Sequence, residues 1–303
     1  MSIINSTLII LLIVSASYFL KRFGLLAKED GRILLTKIIF YVTLPMLVFS
    51  SISKIPLHRD LLLLILAAPI IQAITFPIAL WIANLFKLER ATKGSFIVGT
   101  MIMNTGMVAY PFFQLLYGKE GLAKISLFDL GNGIITFTAV YFIATSFSIK
   151  RDFDLKESVK KVILLPALWG IILGIFVSGF EIRLPELIVN LTSMLGVPTV
   201  PLLLVSLGLY FEFQPPKNLA VLISAVAIRT GLGLLLAFLL VTFFNLQGLE
   251  SLVVLIGSAT PAGYNTLVFA AKERLDEDFA AAFVTYSIIA AVILIPILLF
   301  YFS

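Results

Sequence analysis

Long uncharged runs recur along the chain, separated by short polar clusters. A helix needs ~20 mostly apolar residues to cross the hydrocarbon of a bilayer. Ten segments fit: 3–20, 33–52, 61–86, 94–117, 125–149, 162–180, 187–211, 218–244, 251–271 and 279–302. They are too long and too continuously apolar for the alternation of a barrel strand. The pattern predicts an all-α integral membrane protein with ten transmembrane helices.

Two of the runs break their own pattern. The fourth contains MNTGMVAYPF, residues 103–112, which places Asn104, Thr105, Gly106 and Pro111 in mid-span. The ninth contains GSATPAGYNT, residues 257–266, with Ser258, Thr260, Pro261, Gly263, Tyr264, Asn265 and Thr266. Proline removes a backbone donor and clashes with the preceding turn. Glycine loosens the chain further. Main-chain groups freed in hydrocarbon are costly, so such a break survives only where it lines a cavity or packs on protein. Pro111 and Pro261 are therefore expected to break helices four and nine. Asn104, Thr105, Gly106, Pro261, Gly263, Tyr264 and Asn265 are the expected substrate-binding residues. Half-helix ends converging there would offer N-termini to anions and C-termini to cations. The other intramembrane prolines are expected to be packing kinks, a common feature of spanning helices.

Composition agrees with a lipid solvent. The 303 residues are 60% hydrophobic and 13% charged, against about 25% charged in a soluble domain. The net charge of +5 reflects orientation rather than nucleic-acid binding. Fifteen Lys and Arg lie in the odd-numbered loops and five in the even-numbered ones. The positive-inside rule then puts the odd loops in the cytoplasm and both termini outside the plasma membrane. Lys21 and Arg22 follow the first apolar run instead of preceding it, so that run reads as a spanning helix and not a cleaved leader.

The polar stretch KRDFDLKESVKK, 150–161, divides the chain into halves, 1–149 and 162–303, of five helices each. Thr43, Pro45, Leu47 and Ser50 recur as Thr199, Pro201, Leu203 and Ser206. Helices four and nine are the fourth of each half. Because five is odd, the second half starts from the opposite side, and the repeats are inverted, an architecture of secondary transporters.

Further polar residues lie inside the runs. Intramembrane ionisable residues are expensive and commonly functional. Asp129, with Asn132 on the same helical face, is open to carrying protons, holding a cation, pairing with Arg229 or serving as a structural partner. Arg229 is open to balancing an anionic substrate, to a structural pair, or to contact with carbonyls at a helix break. Gln72, Ser50 and Ser206 are candidate cavity residues.

Other functions have less to build on. The sole histidine, His58, lies in an outer loop, and there is no cysteine. A single well-placed intramembrane aspartate makes no aspartyl dyad. No metal-ligand cluster or phosphate-binding loop is visible, so no enzyme activity, cofactor or metal is expected. A channel or a membrane-embedded sensor could use the same two breaks and stands as the alternative to a transporter.

The residues carry a family resemblance. NTGMVAYPFFQLLYG, PAGYNTLVFAAKE and TLPMLVF resemble, in that order, segments of helices four, nine and two in the auxin efflux carrier family. The likeness covers essentially the whole chain. It implies a crossover-helix fold of the bile-acid and sodium symporter kind, with a scaffold of helices 1, 2, 6 and 7 that forms a homodimer. Helices 3–5 and 8–10 would form a mobile transport unit. It also implies a small organic anion as cargo, such as an auxin-like carboxylate or a dicarboxylate. Proton or sodium coupling is part of the same implication, and Asn104 and Pro261 occupy matching crossover positions. The chain departs from the plant carriers at Met103, where they have proline, and at Tyr41, where they have lysine. Auxin itself, and coupling that needs that lysine, fall outside the likeness.

Overall fold

The computed structural model describes residues 2–25, 29–56, 60–148, 156, 160, 163–213 and 215–302. His58 and nearly all of the central stretch 150–161 lie outside the described residues. Among those described the protein is helical, with one isolated bridge and no strand.

Among the described residues, seven helical spans are long and apolar enough to cross a membrane, and two shorter apolar helices accompany them. The difference from ten expected spans has local causes. Run six starts late, at α8 (Pro166–Gly179), because a residue before proline is pushed out of the helical region, and Leu165 is extended at ψ 114°. Runs four and five follow one another within 105–147 and are parted only by a kink, with no intervening loop. At the kink, Gly118 has φ 59° and ψ −141°, a conformation that suits only glycine. Run nine is divided, as described below.

Prolines take two kinds of place. Pro45 lies inside the continuous span 31–52, in α3 (Leu44–Ile52) directly after a π-helical turn, while Pro166 opens α8. The first helical turn has no use for the missing N–H. Pro69 and Pro77 lie within α4 (Asp60–Leu85), and Pro296 within α15 (Glu277–Phe302).

The chain forms two compact units, each interleaving both halves of the sequence. One comprises 1–62, 106–127 and 163–211. In it α1 (Ile3–Arg22) packs along α10 (Thr199–Tyr210), while α3 packs on α8 and α9 (Glu186–Gly196). The main chains approach closely across small residues, as helices do where lipid offers no hydrophobic drive. A Cβ at Gly170 would stand 2.6 Å from the Pro45 carbonyl, and one at Gly174 would stand 2.9 Å from Ile52. Leu187, Met194 and Val197 face outward as apolar surface.

The other unit comprises 63–105, 128–162 and 212–303. It holds most of α4, then α5 (Arg90–Met101), the end of α6 (Tyr110–Ile135) and α7 (Tyr141–Phe147). It continues with α11 (Leu219–Val226), α12 (Gly233–Phe243), α13 (Gly248–Ser258), α14 (Asn265–Glu273) and α15. A π-helical segment, Ala227–Leu232, joins α11 to α12 and carries Arg229. The α5 and α15 surfaces interlock where Gly99 leaves room for the Phe283 ring.

Candidate functional site

Both runs are interrupted in the structure, run nine at Pro261 but run four at residues 102–104, ahead of Pro111, the residue expected to break it, which instead stands in the first turn of α6. α5 stops at Met101, and Ile102 is extended at ψ 127°. α13 stops at Ser258, and helix resumes at Asn265 in α14. The two non-helical stretches lie side by side as an antiparallel bridge between Met103 and Ala262. The Asn104 N–H donates to the Pro261 carbonyl at 2.9 Å. The Gly263 N–H donates to the Ile102 carbonyl at 3.0 Å.

The accounting of main-chain groups explains why these residue types stand here. In a bilayer every N–H and C=O needs a partner inside the protein. Pro261 has no N–H to satisfy. The Ala262 N–H donates to Ser287 Oγ on α15 at 3.0 Å. Met103 is served on both sides by one amide: its N–H donates to Asn132 Oδ1 at 3.3 Å, and its carbonyl accepts from Asn132 Nδ2 at 3.0 Å. Gly263 has no side chain because a Cβ would collide with Ile102 Cγ2 and stand 3.2 Å from the Met103 carbonyl.

The carbonyls at the two helix ends converge on Arg229, which is 1% exposed. Its Nη1 donates to Thr100 at 2.9 Å and to Met101 at 3.4 Å, both at the end of α5. Its Nη2 donates to Ser258 at 2.6 Å, and its Nε to Thr260 at 3.2 Å, at and just beyond the end of α13. Of the roles open to Arg229, contact with carbonyls at a helix break is the one seen. All its hydrogen bonds among the described residues go to main chain.

Asp129 is instead joined to Asn132, whose Nδ2 donates to Asp129 Oδ1 at 2.9 Å. Gln72 Nε2 donates both to the Met101 carbonyl and to Asn132 Oδ1, each at 3.0 Å. Gln72, Asp129, Asn132 and Arg229 therefore all reach the bridge, directly or through one another.

The N-terminal side is left differently. α14 has no side-chain cap. Thr266 Oγ1, in its first turn, is buried without a hydrogen-bond partner among the described residues, as are Thr105 Oγ1, Ser258 Oγ and Gln72 Oε1. Asn104 is buried, and Tyr264 and Asn265 are half-buried. Gly106, Pro111, Ser50 and Ser206 belong to the first unit. There Ser50 Oγ donates to the Leu47 carbonyl at 3.0 Å, and Ser206 is fully buried.

Two partnerships escape a reading of sequence pattern. Ser287 is a lone serine in an apolar run, and its use as acceptor for Ala262 depends on tertiary placement. At the far end of α14, Tyr141 Oη donates to Glu273 Oε1 at 2.9 Å and accepts from Lys272 Nζ at 2.6 Å. This ties α14, which carries Asn265, to α7.

The family model described as membrane transport protein matches residues 2–301. The chain belongs to this family. It is the auxin efflux carrier family that the helix-two, helix-four and helix-nine segments resemble. An uncharacterized transporter of Methanocaldococcus jannaschii is 31% identical over 288 residues, covering 89% of each chain. An uncharacterized transporter of Methanothermobacter thermautotrophicus is 26% identical over 304 residues, covering 97% of this chain and 96% of that one. Family membership and the apolar spans together make the protein an integral membrane protein of a transporter family.

Proposed function

We propose that the protein is a secondary transporter that moves a small organic anion, a carboxylate, by alternating access around the bridged interruptions of helices four and nine. Ten spans in two inverted repeats, 1–149 and 162–303, both termini outside and assembly as a homodimer belong to the same proposal.

The observation that carries it is the unequal treatment of the half-helix ends. The C-terminal ends, which bear partial negative charge, are already occupied by a guanidinium. The N-terminal start of α14, which bears partial positive charge, has no side-chain cap and holds a buried, unpartnered threonine hydroxyl. A carboxylate satisfies both needs, since amide donors and the helix dipole favour an anion. Asn104, Thr105, Tyr264 and Asn265 would supply the surrounding polar contacts.

The test is thermal stabilisation of the purified protein by small carboxylates, followed by uptake into liposomes. Saturable uptake stimulated by carboxylate on the opposite side is expected. Asn104→Ala and Asn265→Ala should fold and lose the stabilisation, and full retention by both variants would refute the site. Flux above ~10³ per second would point to a channel, because it outruns μs–ms conformational cycling.

A further inference from the structure

Arg229 holds a full charge in the interior of the second unit, and its hydrogen bonds go to uncharged acceptors. Such a charge needs compensation, since an isolated buried ion is far costlier than a paired one. The compensation comes from geometry. Its donors reach carbonyls at the C-terminal ends of two separate helices, α5 and α13. Each such end is equivalent to roughly −0.5 elementary charge. Two ends sum to about −1, which one guanidinium balances.

The surroundings are shaped for the guanidinium. Arg229 sits in a π-helical segment, a local widening often found at functional positions. Four residues on, Gly233 leaves the space it occupies: a Cβ there would stand 3.0 Å from Arg229 Nη2 and 2.6 Å from the Ser258 carbonyl. Asp129, the acid connected to the bridge through Asn132, already accepts from the Asn132 amide.

We propose that Arg229 is the resident cation of the crossing, filling the place where two helix C-termini would otherwise need a bound alkali cation. The protein therefore binds no sodium or potassium at these carbonyls, and carboxylate binding is not coupled to either. This rests on the transporter reading for its carboxylate arm only. Two considerations support it. An alkali cation added beside Arg229 would leave about one positive charge uncompensated by the two helix ends. The four carbonyls that would coordinate it are already hydrogen-bonded to Arg229.

The experiment compares the purified wild type in sodium, potassium, lithium and choline chloride at equal ionic strength. Equal melting temperatures, and equal carboxylate affinities, are expected. A saturable rise in melting temperature with one alkali cation overturns the proposal. So does a change in carboxylate affinity of about fivefold or more, the lower range of genuine coupling between sites. Arg229→Ala should melt lower and regain part of the loss in millimolar methylguanidinium but not in choline. A melting temperature equal to wild type, or no response to methylguanidinium, counts against it. Should the alanine variant not fold, Gly233→Ala, which crowds the guanidinium, should show the same direction of loss. If no carboxylate stabilises any form, the transport reading fails, while the alkali-cation and methylguanidinium comparisons still judge Arg229.

Discussion

Gly263 donates its N–H to the carbonyl of Ile102 at 3.0 Å, at an approach that leaves no room for a β-carbon between the two chains. The contact closes one end of the two-bond bridge that holds the interrupted helices together. Gly263→Ala should force Ile102 aside or part the bridge. Overpacking of this kind costs about 1–3 kcal/mol, to be read as a lower melting temperature and a weaker response to carboxylates. Gly231→Ala is the contrast, since a Cβ there meets open space. It should be neutral or stabilising by up to about 1 kcal/mol, as expected when glycine is replaced within a helix.

Asn132 and Gln72 should behave as one unit. Asn132 accepts from Gln72 and from the Met103 N–H while donating to the Met103 carbonyl and Asp129. Asn132→Ala strands a buried main-chain donor at Met103, and an unsatisfied buried group costs about 1–3 kcal/mol. Gln72→Ala releases part of the same network. A double-mutant cycle should give a coupling energy within about 0.5–3 kcal/mol, whereas independent sites add to within about 0.5 kcal/mol. Simple additivity in thermal unfolding would break the picture of a shared network.

Much of this arrangement is legible in sequence because the bilayer constrains it. Apolar runs near the spanning length can only be helices, and the polar, Gly- and Pro-bearing clusters around Asn104 and Pro261 mark where two of them stop. The partners are a different matter. Arg229 alone among apolar residues signals a buried charge, but whether it meets Asp129 or a set of carbonyls depends on which helix ends the fold brings to it. Ser287 carries no local signal, because a serine in a spanning helix can return its hydroxyl to its own main chain, as Ser287 also does toward the Val284 carbonyl. Proline is ambiguous in the same way. Pro69 lies within a helix and Pro166 begins one after an extended Leu165, a difference the residue type alone does not announce. Helix boundaries are least legible where a π turn sits inside a span or where a single glycine such as Gly118 parts two helices with no loop between them.

Tyr141 should anchor α14 against α7. Its hydroxyl stands between Lys272 and Glu273, and Glu273 is only 7% exposed. Tyr141→Phe keeps the ring, which packs on Phe269 at 5.1 Å between centroids, and removes only the bridging oxygen. Hydrogen bonds to charged groups contribute about 1.5–3 kcal/mol, so a loss in that range is expected in thermal unfolding. Tyr141→Ala should lose more, because the ring contact goes as well. If Phe and Ala lose equally little, the hydroxyl bridge does not hold these helices together.

The exposed pair Lys217–Asp278 should differ from these buried contacts in both salt and pH dependence. The two groups meet at 2.8 Å with side chains 77% and 61% exposed. The hydrogen bond from Lys217 to Asp278 and the charge of that carboxylate hold the lysine above its usual pKa. A raised folded-state pKa means that any contribution is fully present below the unfolded lysine value of ~10.4 and is lost as pH rises through the folded value. At neutral pH the pair is therefore intact, but both groups are in water and salt screens them. Lys217→Ala should leave the melting temperature unchanged at physiological salt. A small deficit at low salt is expected to disappear both on adding salt and on raising the pH beyond the lysine titration. A deficit that persists in high salt would mean that Lys217 contributes packing, which the exposure of its side chain argues against.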